Sequence, residues 1–371
     1  MEKTKRQSNF ELLRIFAMFM IILFHVQASG PQPILTGDNG YFTQPIIYTR
    51  LLIFEIIVIL GPIGNGLFIL ISGYFMNAND YIDTGKIAKK ILLQLGFAVG
   101  IAIIANSIWV AFFKDENLLF GTSTIANFNN RFWFVGYYLL IIIIAKLFLN
   151  GFTAKLTRNQ FKSLLLTILA ISQFGWTGTL LESLATGLRT LSIGIFFFLL
   201  GGYIAKYNPL KNLKAYTFVL AIAATYGIRF LSQYNIVSES IDYFIKSKSA
   251  GRFVQSVQRY SNYEISAVIF VICLFELFRR LRIPNNAVIN FIGKSTLMMF
   301  FIHVNSFFIM FFKNDNWMET LKSSCLMYLL KCFKWTAIGF AAGLAAYVLY
   351  TLLGKLLPRI RSWFVVEEPS E

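Results

Sequence analysis

An all-α, polytopic membrane helix bundle is the fold this sequence predicts, with about ten transmembrane helices and both termini cytoplasmic. Three observations predict it. The 371 residues are 56% hydrophobic and only 14% charged, with mean hydropathy +0.61, where soluble domains carry about a quarter charged residues. The apolar residues gather in blocks long enough to cross a bilayer rather than in short amphipathic periods. The basic residues favour the segments between alternate blocks. Together these exclude a disordered chain, a coiled coil and an ordinary cytosolic enzyme. No internal repeat or low-complexity tract intervenes, so residues 1–371 read as a single integral-membrane domain.

The first block runs near 10–29. Its basic start and Val26-Gln27-Ala28 loosely imitate a cleaved signal. It also carries Arg14 and His25, which a targeting sequence has no reason to contain, so it is read as an uncleaved span. The second and third, 50–76 and 87–113, are long enough to tilt or kink, and Pro62, Gly64 and Gly66 predict a kink in the second. The fourth, 132–149, opens on aromatic residues, and the fifth, 161–175, is short. The remaining five lie near 188–206, 215–231, 263–279, 295–312 and 335–357. The intervening loop 232–262 is too short for an independent domain.

The net charge is +16, from 34 Lys and Arg against 18 Asp and Glu. On a soluble protein that would suggest nucleic acid. Here the cations anchor loops beside membrane lipid, and no nucleic-acid partner is expected. With the N-terminus inside, every inner segment carries at least three basic residues, Lys3, Lys5 and Arg6 opening the series. Lys246, Lys248, Arg252 and Arg259 fall outside, but in the long loop, where charge counts least. The three cysteines, Cys273, Cys325 and Cys332, have no metal-site spacing. No Walker A, GxGxxG, HExxH or GxSxG pattern occurs, so neither a metal nor a serine nucleophile is expected.

Ionisable groups inside hydrocarbon need a partner, a cavity or a function. Both histidines of the chain, His25 and His303, fall inside predicted spans. Arg14 and His25 are eleven residues apart, which turns a helix ~20° past three full turns and separates them by ~16 Å along one face. That face presents a cation near the inner edge and a proton acceptor deep in the bundle. A snorkelling arginine and a hydrogen-bonded core histidine would satisfy the same pattern. Glu55 sits at a depth resembling that of His25 and could hold one ring nitrogen, or pair with Arg50. His303, counted from a span start at 295, lies ~12 Å deep and not level with His25. With Asn305 it is assigned to a cavity wall or to structure.

Asn65 is at mid-membrane, and Ser72-Gly73 closes the second span with small residues that permit close helix contact. Lys86, Lys89 and Lys90 share one side of a helix start. They suit lipid headgroups or a phosphate-rich ligand. Trp133, in Arg131-Phe132-Trp133-Phe134, belongs to an aromatic belt or a sugar-stacking platform.

Glu11-Leu12-Leu13-Arg14 followed by His25 resembles the Arg-x10-His first-span motif of the acyltransferase 3 family, bacterial integral-membrane enzymes that mostly O-acetylate surface glycans. Four more stretches resemble that family in order: Asn65 to Phe75, Trp133-Phe134 to Tyr138, Gly201-Gly202-Tyr203-Ile204, and Ile292-Gly293-Lys294 to Phe300-Phe301-Ile302-His303. Phe300-Phe301 stands where a tyrosine is common, Lys86-x-x-Lys89 where the family often has Arg-x-x-Arg, and the proline usual near Leu149-Asn150 is absent. Lysine cannot copy a bidentate arginine clamp.

The resemblance implies a membrane O-acyltransferase of the bacterial plasma membrane, multi-pass, with no permanently bound cofactor. Its donor would be acetyl-CoA or another short acyl-CoA. Its acceptor would be a sugar hydroxyl of a cell-surface or lipid-linked polysaccharide. Arg14, Lys86, Lys89 and Lys90 would receive the donor, with His25 as general base and Glu55 its candidate partner. Asn65, Ser72, Trp133, His303 and Asn305 would line the acceptor side or cavity. The alternative is a lipid-linked glycan or proton-coupled transporter, since a histidine and an arginine on one face also suit a proton relay. A receptor or assembly subunit without chemistry would leave the buried charges without a task.

Overall fold

A computed structural model describes residues 6–36, 50, 53–54, 56–77, 82–113, 132–174, 184–247 and 264–356. Among them every regular element is helical. In chain order these are α1 (Ser8–Ser29), α2 (Gln32–Thr36), α3 (Leu60–Met76), α4 (Thr84–Phe113), α5 (Trp133–Ile144), a π-helical turn (Ala145–Leu149), α6 (Asn150–Ala154), α7 (Arg158–Phe174) and α8 (Ala185–Tyr207). Then follow α9 (Ala215–Ser247), α10 (Ile265–Arg280), α11 (Ala287–His303), α12 (Ser306–Lys313), α13 (Trp317–Ser323) and α14 (Cys325–Leu356).

All ten expected apolar blocks contain helix, but fewer are spans by length and composition. Seven helices qualify among the described residues, and an eighth if α11 and α12, bent by 72°, count as one. The blocks at 161–175 and 263–279 are the 17-residue α7 and the 16-residue α10. At 1.5 Å per residue these rise ~24–26 Å, short of a ~30 Å hydrocarbon core. The loop expected over 232–262 is helical as far as Ser247, because no Gly or Pro interrupts 228–247.

Helix α1 is the hub. It packs against α3, α10, α11 and α14 and belongs to both apolar cores. Met18, Ile21, Ile22 and Val26 join Met298, Met299 and Phe301 of α11. Phe10, Leu13, Ala17 and Met20 join α3, α8 and α10. The outer wall includes α9, whose span window is 6% buried against 78% for Ile56–Met76. Its exposed Leu220, Ile228 and Leu231 are the surface expected against lipid tails.

Lipid is as apolar as leucine, so the inner helices gain little from the hydrophobic effect and associate through close packing and polar contacts. That explains the small residues. A Cβ on Gly73 would run into the Phe198 carbonyl of α8, and one on Gly201 into the Leu70 carbonyl of α3. The two stretches Ser72-Gly73 and Gly201-Gly202 are therefore one backbone contact seen from two helices. At the same end, Asn77 Nδ2 donates to Asn150 Oδ1 (3.2 Å) and Asn150 Nδ2 to the Met76 carbonyl (3.0 Å). These bonds tie α3 to the helix that follows the π turn.

Candidate active site

Helices α1 and α11 begin side by side. Ser8 Oγ donates to Asn290 Oδ1 (3.0 Å) and accepts from the Asn286 backbone N–H (2.8 Å). Asn286 caps α11, accepting from Val288 N and Ile289 N. The helix thus starts at Ala287, a little over two turns before the expected 295, because Asn290 and Lys294 dilute its hydropathy without breaking the helix. His25 is 17 residues along α1 and His303 is 16 along α11, rises of ~26 and ~24 Å from neighbouring starts. The two rings are therefore level, where the sequence count had placed His303 well below His25.

They touch. His25 Nδ1 and His303 Nε2 are 2.8 Å apart, and His303 Nδ1 is 2.8 Å from the Met299 carbonyl. A carbonyl only accepts, so the proton on His303 resides on Nδ1, and Nε2 of the neutral ring accepts. His25 must then donate from Nδ1, which makes its Nε2 the proton-accepting nitrogen. His303 is 1% exposed, while His25 is half-buried. Immediately beyond His303 the chain bends into α12, and Asn305 caps the new helix by accepting from Phe307 N (2.9 Å).

Below the pair lies a cavity of about 280 Å³. Arg6, Arg14, Lys90 and Lys294 form one end; Ile21 and Phe300 line the other. Between them Met18, Phe68, Ile87, Ile91, Phe134 and Leu297 make apolar walls, with Ser72, Gln94, Tyr138 and Thr296 as polar interruptions. Neither histidine lines it. Phe300 stands between, its ring centroid 5.7 Å from that of His303, so the pair is about one helical turn past the cavity end. Tyr138 Oη is 3.0 Å from Ser72 Oγ, which also bonds the Phe68 carbonyl (2.9 Å).

Glu11, 3% exposed, organises the cationic end. Its Oε1 accepts from Arg14 (2.6 Å) and Arg6 (2.9 Å). Its Oε2 is buried with no hydrogen-bond partner, pressed against Gly293, where a Cβ would collide with it. A buried carboxylate between two guanidiniums fixes where those cations point. The surplus of cations over this one acid makes the cavity mouth suited to an anionic ligand.

The expected site residues divide as follows. Arg14, Ser72 and Lys90 line the cavity; Lys86, Lys89 and Asn65 do not. Lys86 uses its backbone N–H to bond Asp83 Oδ1 (2.8 Å), and Lys89 is exposed. Asn65 is half-buried on α3. Trp133, 40% exposed, lines a separate open hollow with Tyr137, Leu140 and Leu184. Glu55 lies outside the described residues, while Arg50 donates to the Leu321 carbonyl (3.1 Å). Sequence reasoning did not single out Glu11, Gln94 or Lys294, nor the bond between the histidines. Spacing could have found two of these: Glu11 is three residues before Arg14, and Gln94 four after Lys90, both helix-neighbour intervals.

The chain matches a family model described as an acyltransferase domain over residues 7–354. Among the curated proteins and solved structures compared, none matches it.

Proposed function

The chain belongs to this acyltransferase family, matched along nearly its whole length, and on that premise we propose that it transfers an acetyl or other short acyl group from acyl-CoA to a sugar hydroxyl. The acceptor is a cell-surface or lipid-linked polysaccharide, and the setting is the bacterial plasma membrane. The reading places both termini in the cytoplasm and treats the chain as one domain with ten passes, α7 and α10 included. The observation that carries it is the level histidine pair one turn beyond a cavity with a cationic mouth.

In this reading Arg6, Arg14, Lys90 and Lys294 receive the phosphates of the donor, Arg14 being held for the task by Glu11. The thioester arm extends along the apolar bore toward Phe300. His25 Nε2 takes the proton of the acceptor hydroxyl as its oxygen attacks the thioester carbonyl. The tetrahedral intermediate collapses, the C–S bond breaks, and the leaving thiolate takes the proton back from His25. The products are a sugar ester and free CoA. Proton transfer of this kind contributes typically ~10²–10⁴-fold. His303 keeps His25 in the competent tautomer, the role a carboxylate plays in hydrolase triads.

One feature favours the transporter alternative: the helix broken at the histidine pair, since discontinuous helices build many transport sites. Acyl-CoA dependence separates the two. Mass spectrometry of the surface polysaccharide from cells carrying His25→Ala should show no added acyl groups although the protein inserts normally. Unchanged acylation in that variant would remove His25 from the chemistry.

A further inference from the structure

We propose that Gln94 is a donor-specificity residue that reads an amide in the arm of the ligand, so that the cavity selects a thioester carried on an amide-bearing arm over a hydrocarbon lipid tail. The inference rests on the acyl-CoA reading above and adds to it the group that is recognised between the anion and the reacting carbon.

Gln94 is 2% exposed, lines the cavity, and its side-chain Oε1 is buried with no hydrogen-bond partner. A carboxamide left so inside a membrane helix is costly. Leucine would serve better if the occupant were a lipid chain. The position along the bore fits an arm. Ile87, Lys90, Ile91 and Gln94 present one face of α4 to the cavity. Gln94 is thus one turn, ~6 Å, further in than Lys90 at the mouth. A ligand anchored by its phosphates on the cations and aimed at the histidines must pass it.

Tyr138 supplies a second acceptor. Ser72 Oγ–H donates to the Phe68 carbonyl, so the hydrogen between Ser72 and Tyr138 comes from the tyrosine, leaving lone pairs on Tyr138 Oη. An arm with amide N–H groups would satisfy acceptors that an alkyl or prenyl chain would leave bare. A site built to hydrogen-bond a ligand discriminates strongly against analogues lacking the group, because its own polar atoms are then stranded.

The test measures equilibrium binding to the purified full chain in detergent. The probes are acetyl-CoA and two analogues in which one or the other arm amide is replaced by an ester, which keeps shape but removes the N–H. The unaltered protein should bind at least one ester analogue about 5- to 10-fold more weakly than acetyl-CoA, the effect of one buried hydrogen bond. Gln94→Met, which keeps volume and helix propensity, should bind acetyl-CoA about as weakly and no longer distinguish that analogue, the signature of a coupled pair. Equal binding of all three probes by the unaltered protein overturns the inference without using a variant. So does Gln94→Met that binds acetyl-CoA normally, or that still prefers the amide; in each case the donor reading survives. Failure of the unaltered protein to bind acetyl-CoA at all would instead remove the donor reading and this inference with it.

Discussion

Replacing His303 is the sharpest way to probe the site. In His303→Ala the Nδ1–H of His25 loses its acceptor, and the ring is free to adopt the other tautomer. What is lost is a neutral hydrogen bond of 2.8 Å in a part-buried setting, and what remains is a half-buried N–H that has lost this acceptor. That situation costs ~1–3 kcal/mol, which corresponds to a fall in kcat of roughly 5- to 150-fold at 1.4 kcal/mol per decade. The loss is smaller than the ~10⁴-fold of a triad whose carboxylate is altered, because a neutral imidazole does not stabilise a positive charge. Since neither histidine lines the donor cavity, KM for acyl-CoA should change less than twofold. His303→Gln can again accept from His25 and should recover part of the rate. The assay is acyl transfer from labelled acetyl-CoA by membranes, with each variant normalised for inserted protein. A kcat within twofold of the unaltered enzyme for His303→Ala would refute the orienting role. A loss as complete as that of His25→Ala would refute it in the other direction, by making His303 itself the proton-transferring group.

Other expectations follow from named contacts. Glu11→Gln removes the carboxylate charge that holds Arg14 and Arg6, so KM for acyl-CoA should rise about 3- to 10-fold with kcat little altered; an unchanged KM would show that Arg14 is held by other groups. Gly293→Ala forces a methyl into Glu11 and should destabilise the bundle by about 1–3 kcal/mol, read as a lowered Tm in detergent; a Tm equal to the parent would show that α1 and α11 can separate without penalty. Asp315 lies between α12 and α13. Burial alone would raise its carboxyl pKa, but hydrogen bonds from Lys331 and Trp335 and the Lys331 charge outweigh it and hold the pKa below its ordinary value. A depressed folded pKa means stability that is complete above the unfolded value of about 3.9 and is lost as pH falls through the folded one. On that sign, Asp315→Asn should have a flatter Tm profile than the parent between pH 5 and 3, and parallel profiles would exclude the contribution.

Much of the scaffold was legible because helices are local. Block length and charge alternation marked the apolar helices, and 3.6-residue periodicity alone put Arg14 and His25 on one face of α1. Hydropathy windows failed where polarity and helicity part company. Asn290 and Lys294 hid the first turns of α11, and that shifted the inferred depth of His303 by more than two turns. The same windows marked the blocks that hold α7 and α10, which at 17 and 16 residues are shorter than the other apolar helices counted as spans.

What the sequence determined by itself was therefore a helical membrane chain, its family through five motif stretches in order along the chain, and the shared stripe of one arginine and one histidine. Only the tertiary structure decided that His303 reaches His25, that Glu11 aims Arg14, that Gln94 rather than Lys86 or Lys89 faces the cavity, and that Trp133 borders a different hollow. The physical reason is common to all four. Spacing within a helix sets direction around its own axis, whereas a meeting of two helices depends on where each begins and how closely their backbones approach. Here those quantities come from the Ser8–Asn286 and Ser8–Asn290 bonds and the Glu11–Gly293 contact, which join residues nearly three hundred positions apart.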